Sequence, residues 1–368
     1  LNEILSNLIK HDLNNNISKV IVIGSQKILN QLTTSENIEK ITFPSLNKGI
    51  IARMYFQIFF LDKVLKNKCD ILFSPTGDYI GNFNPLVVMS QNMLLYERDI
   101  WKEINQFKEV FRFWLIFQKQ KIAFNKSNGI IFISEYAKNY ISKQLDLKNK
   151  PKIVIHHGIS PRFINKLEKQ KQISEYSFSN PFNFLYVSTI HVYKHQWNVV
   201  EAVSILRAKG YPIVLNLVGG VIYEPSGKKL LESIQKNDEK NEFIFNHGHL
   251  SFDIIETYYK KSDAIIFAST CENMPNILIE SMASGKPIAC SNKQPMPEFL
   301  KENGFYFDAR DVRSIEMALE KLLKNKKLRE KYTFKNIEEA IKYNWIDTSK
   351  ETFNFIEKIY KQKIYVQK

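Results

Sequence analysis

Short apolar runs alternate with longer amphipathic stretches along the whole chain. Residues 19–24, 70–74, 86–90, 129–134 and 152–156 have the length and β-branched content of buried strands, with helical periodicity between them. After a polar stretch at 168–181 the pattern restarts with strand-like runs at 182–188, 213–219, 243–246, 264–268 and 287–291. Strands that alternate with helices predict an α/β chain of parallel sheets, because parallel neighbours need a crossover of a dozen residues or more. Two such series predict two doubly wound domains, at 1–175 and 180–350, and 368 residues is the length two cores would organise. The boundary is expected in the polar stretch, where Lys169, Lys171, Gln172, Ser174, Ser177 and Ser179 suit an exposed linker. Residues 351–368 carry Phe353, Ile356, Ile359 and Tyr360 at helical spacing, so this helix has a face to bury and is expected to pack back on the first domain.

Composition narrows the class. Apolar content of 44% and aromatic content of 13% exclude a largely disordered chain. Cys69, Cys271 and Cys290 are odd in number and widely spaced, which argues against a disulfide framework and a zinc site and points to a reducing, cytoplasmic setting. No run reaches the roughly 18 apolar residues of a membrane-spanning helix. The nearest, 50–65, is interrupted by Arg53, Gln57, Asp62 and Lys63. A net charge of +14 attracts anions, whether nucleic acid, an anionic membrane surface or phosphorylated substrates. The chain has no P-loop, zinc spacing or RNP-like aromatic motif, so nucleic acid is not the expected partner. Segment 107–126 interleaves Phe107, Phe111, Phe113, Trp114, Leu115, Ile116 and Phe117 with Lys108, Arg112, Lys119, Lys121 and Lys126. It reads either as a membrane-surface helix or as an amphipathic helix packed on its own sheet.

The candidate chemistry concentrates at 269–287. Ligands of open α/β sheets bind outside the carboxyl ends of the strands, and the strand at 264–268 feeds directly into the loop 269–275. Pro275 suits a first helical turn, Asn273 is a candidate cap before it, and Ser284-Gly285 followed by Lys286-Pro287 marks the stop. The N-terminus of that helix presents unpaired N–H groups and a positive dipole end to a phosphate or diphosphate. Glu272 lies in the loop and Glu280 eight residues later. A carboxylate can accept from two adjacent hydroxyls, so the pair suits a ligand with a sugar at one end of a diphosphate and a ribose at the other.

The run from Ser269-Thr270-Cys271-Glu272-Asn273-Met274-Pro275-Asn276 through Glu280 to Pro287 resembles the E-x7-E segment of the retaining glycosyltransferases of family 4. The resemblance implies the GT-B fold, two doubly wound Rossmann-like domains facing a central cleft, with acceptor bound by the first and nucleotide-sugar by the second. It assigns Glu272 to the donor sugar and Glu280 to the ribose, with Asn273, Met274, Pro275 and Asn276 along the sugar and phosphates. Residues 184–195 follow the family order of strand, basic residue and helix, so Lys194 matches the diphosphate-binding lysine, with Ser188 and Thr189 beside it. His247 and Gly248 lie where the base is often held. On the acceptor side the matching positions are Gln91, Asn92 and Ser134.

Departures from the family pattern are specific. Thr189 stands where an arginine is common, and Gln91-Asn92 stand where many members have a histidine. The glycine-rich loop after the first strand is absent, since 1–10 already reads as the following helix, and a missing first strand is expected. No D-x-D occurs, so a metal-bridged diphosphate has no support and no metal or cofactor beyond the co-substrate is expected. The expected activity is metal-independent transfer of a sugar, with retained configuration, to a carbohydrate or lipid-linked hydroxyl in surface polysaccharide or lipid-linked oligosaccharide synthesis. The expected location is the cytoplasm, peripheral to the membrane. The alternatives are a non-catalytic partner subunit, and a sugar phosphorylase or nucleotide-sugar epimerase on the same fold.

Overall fold

The computed structural model describes residues 1–10, 16–66 and 68–367. The chain divides into two compact units, residues 1–96, 106–158 and 343–368 forming one and residues 97–105 and 159–342 the other.

The first unit holds two parallel sheets. Strands β1 (Val20–Ile23) and β2 (Ile38–Ile41) pair with each other, and β3 (Leu72–Ser74), β4 (Leu86–Ser90), β5 (Gly129–Phe132) and β6 (Lys152–Val154) pair in chain order. All five residues of β4 and all four of β5 are buried, which is why these strands read as continuous apolar runs and not as alternation. The C-terminal helix Trp345–Gln367 belongs to this unit, with Ser349 Oγ donating to Ile4 O at 2.7 Å. It lies on β5 at Gly129, where an added Cβ would stand 2.7 Å from Ile359 and 2.9 Å from Phe355. Only glycine admits that approach. Lys368 lies outside the described residues.

The second unit is one six-stranded parallel sheet of β7 (Phe182–Val187), β8 (Ile213–Val218), β9 (Ile244–Asn246), β10 (Ala264–Phe267), β11 (Ile288–Ser291) and β12 (Phe305–Phe307). Their order across the sheet is β12-β11-β10-β7-β8-β9. The winding therefore runs outward one way from β7 through β8 and β9 and the other way through β10 to β12. That places a topological switch point between β7 and β10.

The linker expected at 168–181 is instead part of the second unit, whose division from the first falls after Gly158. The reason is a set of contacts that composition does not reveal. Phe163 packs edge-on against Phe252 and Tyr259, Asn165 N donates to Ala283 O at 3.1 Å, and Tyr176 OH donates to Asp263 at 2.7 Å. Buried Arg329 donates to Gln170 Oε1 at 3.1 Å, to Leu322 O and Leu323 O at 2.7 Å each, and to Lys171 O. At the other end the unit stops at Lys342, not at 350, because Trp345 begins the helix that returns to the first unit. Residues 97–105 also join the second unit, where Glu103 pairs with Arg310 at 2.6 Å and Asn105 N donates to Tyr223 OH at 3.1 Å.

Arg329→Met should lower stability by about 3 kcal/mol or more, since it strips a charged donor from several carbonyls at once and leaves them buried. A fall in Tm of several degrees checks this; an unchanged Tm would mean the 168–181 segment is held by its other contacts, such as Tyr176 OH to Asp263 and Glu168 to Lys286.

Candidate functional site

The carboxyl ends of β7 and β10 bring together the residues on which the sequence reading concentrated. After β7 the chain forms a 3-10 turn, Val192–Lys194, and His195 follows in the left-handed region at φ 49°. After β10 it runs through Ser269 to Pro275 into the helix Asn276–Ala283. The two loops are stitched: Thr270 N donates to Tyr193 O at 2.8 Å, and Thr270 Oγ1 lies 2.9 Å from His195 Nε2. Burial pulls the His195 imidazole down to about 4, so the ring is neutral at physiological pH and serves as a hydrogen-bonding strut. Tyr186 OH donates to Lys194 O at 2.6 Å and fixes the turn from beneath.

This frame aims Lys194 across the switch point. Its side chain is 6% exposed and its ammonium pairs with the Glu272 carboxylate. Nζ also stands 5.1 Å from the centroid of the Tyr193 ring and 5.5 Å from that of Phe267. A cation with one carboxylate and two ring faces around it, almost shut off from water, is held where it can exert a strong field on a departing anion.

The helix Asn276–Ala283 has Pro275, which has no side-chain acceptor, at its N-cap position. Asn273, expected as the cap, is buried in the loop, and the N-cap position falls to Pro275 instead. The first turn is closed by Leu278 N and Ile279 N donating to Pro275 O at 2.8 and 3.1 Å. Gly285, at φ +71°, ends the helix where Ser284-Gly285 is read as the stop. Met274 is buried and Asn276 exposed. Glu280, one turn in, has no hydrogen-bond or salt-bridge partner among the described residues, and burial raises its carboxyl from the ordinary 4.5 to about 7. A carboxylate that pays desolvation without a partner is a marker of function more than of stability.

Beyond β7, the strand ends of β8 and β9 line up alongside. Gly219 N donates to Gly248 O at 2.7 Å, and Ser188 N donates to Val218 O at 2.8 Å. At Gly219, φ is +151° and a Cβ would fall 1.9 Å from Ser188 O, so glycine is obligatory there. His247 is bound on both ring nitrogens, Nε2 to Asn216 Oδ1 at 2.9 Å and Nδ1 to Tyr258 OH at 3.1 Å, and burial lowers its basicity. Thr189, in place of the family arginine, has its carbonyl bound by Gln196 Nε2 at 3.0 Å.

Gln91, Asn92 and Ser134 lie in the first unit. Gln91 is exposed just after β4, and the Asn92 carboxamide accepts from Leu94 N at 3.0 Å. Ser134 is buried and caps the helix Glu135–Leu145 by accepting from Ala137 N at 3.1 Å. The sequence reading missed His195 and Thr270 as a pair, Tyr193 under the lysine, and Glu97, a buried acid whose charge acts on Cys271 beside Glu272. Thr270 lies in the loop 269–275, and Tyr193 and His195 flank Lys194 in the run 184–195, so their neighbourhood was legible; nothing in the sequence pointed to Glu97.

Residues 168–338 match the family described as glycosyl transferases, group 1. The matched stretch contains Ser188, Lys194, His247, Glu272 and Glu280. The O-antigen chain mannosyltransferase B of Escherichia coli is 22% identical over 173 residues, 46% of this chain and 44% of that protein. The chain spans about half the length of the curated relatives it matches, 44% and 55% of the first two. A glycosyltransferase structure from Rickettsia africae ESF-5 superposes with a TM-score of 0.67 at 16% identity, over 97% of this chain and 93% of that one. Anabaena Alr3699/HepE, solved in complex with UDP and glucose, gives 0.67 at 15% identity over 95% and 94%. These likenesses show the fold, GT-B, with the two compact units as its two Rossmann-like domains. The group 1 match falls on the second of them. No helix among the described residues is long and apolar enough to cross a membrane.

Proposed function

We propose that this chain is a retaining glycosyltransferase of the family 4 kind, which moves a sugar from a nucleotide-diphosphate sugar to an acceptor hydroxyl without a metal. The observation that carries the reading is the shielded Lys194–Glu272 pair at the switch point, beside a helix that presents the unpartnered Glu280. The group 1 match and the O-antigen mannosyltransferase relative support the transferase class and polysaccharide synthesis; a lipid-linked oligosaccharide acceptor at the cytoplasmic face of the membrane is part of the same proposal.

In this reading the diphosphate lies against the N-terminus of Asn276–Ala283, with Lys194 neutralising the charge that develops as it leaves. Asn273, Met274, Pro275, Ser188 and Thr189 line the sugar and phosphates. Glu280 accepts from the ribose hydroxyls, and His247 and Gly248 lie towards the base. Glu272 accepts from hydroxyls of the donor sugar and positions it. The bond from the anomeric carbon to the phosphate oxygen breaks, the acceptor oxygen bonds to the same face of that carbon, and the acceptor proton passes to the departing phosphate. The acceptor hydroxyl is held from the first domain, with Gln91, Asn92 and the region of Ser134 as its candidate contacts.

Proton NMR of the product of an acceptor–donor incubation tests this. The expected outcome is an anomeric configuration equal to the donor's, nucleoside diphosphate released only when acceptor is present, activity retained in EDTA, and no covalent sugar adduct on Glu272. Inverted configuration or a trapped adduct would overturn the mechanism. Donor release without acceptor, driven by phosphate, would indicate a phosphorylase. Donor binding without turnover would favour a non-catalytic subunit, the reading to which Thr189 in place of the arginine belongs.

A further inference from the structure

Two helices of the first unit turn apolar faces to solvent. In Phe107–Lys126 the buried side is Phe113, Phe117, Gln120, Ala123 and Phe124. A second stripe of Phe107, Phe111, Trp114, Leu115 and Ile122 runs at i, i+4, i+7, i+8 and i+15 and remains 40–83% exposed. Its aromatic rings stack in a row, with centroids 6.2 Å apart from Phe107 to Phe111 and 5.8 Å from Phe111 to Trp114. The helix is thus neither simply packed on its sheet nor simply free: one stripe is buried and another is not.

The helical stretch 50–66 goes further. Only Phe56 and Leu65 are buried among its described side chains, while Ile51, Tyr55, Ile58, Phe59 and Phe60 are 46–82% exposed. A π-helical turn, Gln57–Leu61, sits in its middle, so three consecutive apolar residues spread over a wide outward arc. Both helices are moored to one loop. Asn82 N donates to Asp62 Oδ2 at 2.7 Å, and Lys126 Nζ donates to Asn82 Oδ1 at 2.8 Å and to Gly81 O at 3.1 Å.

We propose that these two helices form a docking face for an anionic lipid bilayer, with Phe59, Phe60, Phe107, Phe111 and Trp114 entering the boundary between headgroups and acyl chains. An apolar surface of this extent is not left bare on a monomer without a purpose. Its surroundings select the occupant. Phe107–Lys126 carries five Lys or Arg against the single Glu109; Lys126 is bound to the 81–82 loop and Lys119 pairs with Asp78 at 3.5 Å, which leaves Lys108, Arg112 and Lys121 for the rim, and 50–66 adds Arg53, Lys63 and Lys66 against Asp62, on a chain of net charge +14. Aromatic residues flanked by basic ones match the layered chemistry of an anionic interface, where rings sit at headgroup depth and lysines reach the phosphates. A second copy of the chain meeting this face would set one basic rim against another. Neither helix can span, so both lie in the plane of the surface.

The test uses the full chain, vesicles of phosphatidylcholine alone or mixed with phosphatidylglycerol, and flotation together with tryptophan quenching by brominated acyl chains. The expected result is binding to the phosphatidylglycerol vesicles that weakens with salt, and quenching that Trp114→Phe removes while Trp101, Trp197 and Trp345 remain. Phe59→Ser with Phe111→Ser should reduce binding by more than about tenfold with an unchanged thermal melt. Lys108→Glu with Arg112→Glu provides an independent second variant and should also weaken it. No flotation would overturn the proposal, as would flotation that the aromatic substitutions leave intact. Lipid-independent self-association that Phe59→Ser abolishes would assign the face to a second copy. None of these readouts depends on the donor site, so failure here leaves the transferase reading standing, and the reverse.

Discussion

Lys194→Ala is expected to cut turnover by roughly 10²–10³-fold, the size of effect seen when one preorganised charge is removed from a leaving group in a water-poor site. The side chain is 6% exposed, and its partner Glu272 is 17% exposed, so the substitution also strands a carboxylate and should lower Tm. The catalytic and structural effects separate in the double variant Lys194→Met with Glu272→Gln. Replacing both charges removes the uncompensated acid and should recover stability, while turnover stays lost. Turnover measured with saturating donor, beside a thermal melt, distinguishes the two. If the double variant regains activity with its stability, Lys194 is a structural cation and the proposed role fails.

Glu280→Gln should weaken donor binding by roughly 10–100-fold, because hydrogen bonds to a charged acceptor contribute about 1.5–3 kcal/mol and the amide keeps the shape without the charge. The same substitution should raise stability at alkaline pH. Burial lifts the Glu280 carboxyl to about 7 from the ordinary 4.5, so the folded chain holds that proton more tightly than the unfolded one. Below 4.5 both states are protonated and the group is neutral to folding. Between 4.5 and about 7 the unfolded chain alone has ionised, so stability falls as pH rises, by about 1.4 kcal/mol per pH unit. Above 7 the whole cost is present. Glu280→Gln should therefore melt on the order of 1–3 kcal/mol more stably than the parent at pH 8 and no differently at pH 4. In the parent, donor binding should weaken as pH drops below 7 and the acceptor carboxylate is lost. A melt difference equal at both pH values would mean Glu280 is already solvated and has no unusual affinity for its proton.

How much of this was legible in the sequence follows from which interactions depend on local pattern. Ten strands stand within a residue or two of the runs that periodicity singles out, because buried parallel strands are continuous in apolar residues. Two escaped. Strand β2 sets the charged Glu39 and Lys40 between its isoleucines, which breaks the apolar run. Strand β12, Phe305–Phe307, is as short as β3, β6 and β9, and nothing in the structure explains why it alone of these was passed over. The linker was misplaced because its polar side chains suggested exposure, whereas several of those polar groups have partners distant in sequence: Gln170 Oε1 and Lys171 O accept from Arg329, Tyr176 OH donates to Asp263, and Glu168 pairs with Lys286. Lys194 and Glu272 could be named from the resemblance, but their contact could not. It exists because β7 and β10, which are separated by two strands in the chain, are neighbours in the sheet, and because His195 adopts a left-handed conformation that lets its ring reach Thr270. Likewise, the outward stripe of Phe107–Lys126 is visible as a mixture of aromatics and cations, but only the packing of Phe113, Phe117 and Phe124 tells which side is left over.

The two units carry separable tasks in this account. On the proposed function the second would hold the leaving diphosphate and position the sugar, and the first would hold the acceptor and, on the further proposal, meet an anionic lipid surface. A chain with its donor site intact and its aromatic face replaced should still turn over a soluble acceptor while losing a vesicle-bound one.

The central claim is the donor site, and thermal shift of the chain with UDP-, GDP-, ADP- and CMP-linked sugars tests it most directly, with Lys194→Ala and Glu280→Ala measured alongside. Stabilisation by one class of nucleotide-diphosphate sugar that both substitutions abolish is the predicted result; no stabilisation by any of them, or stabilisation that survives both substitutions, would contradict it.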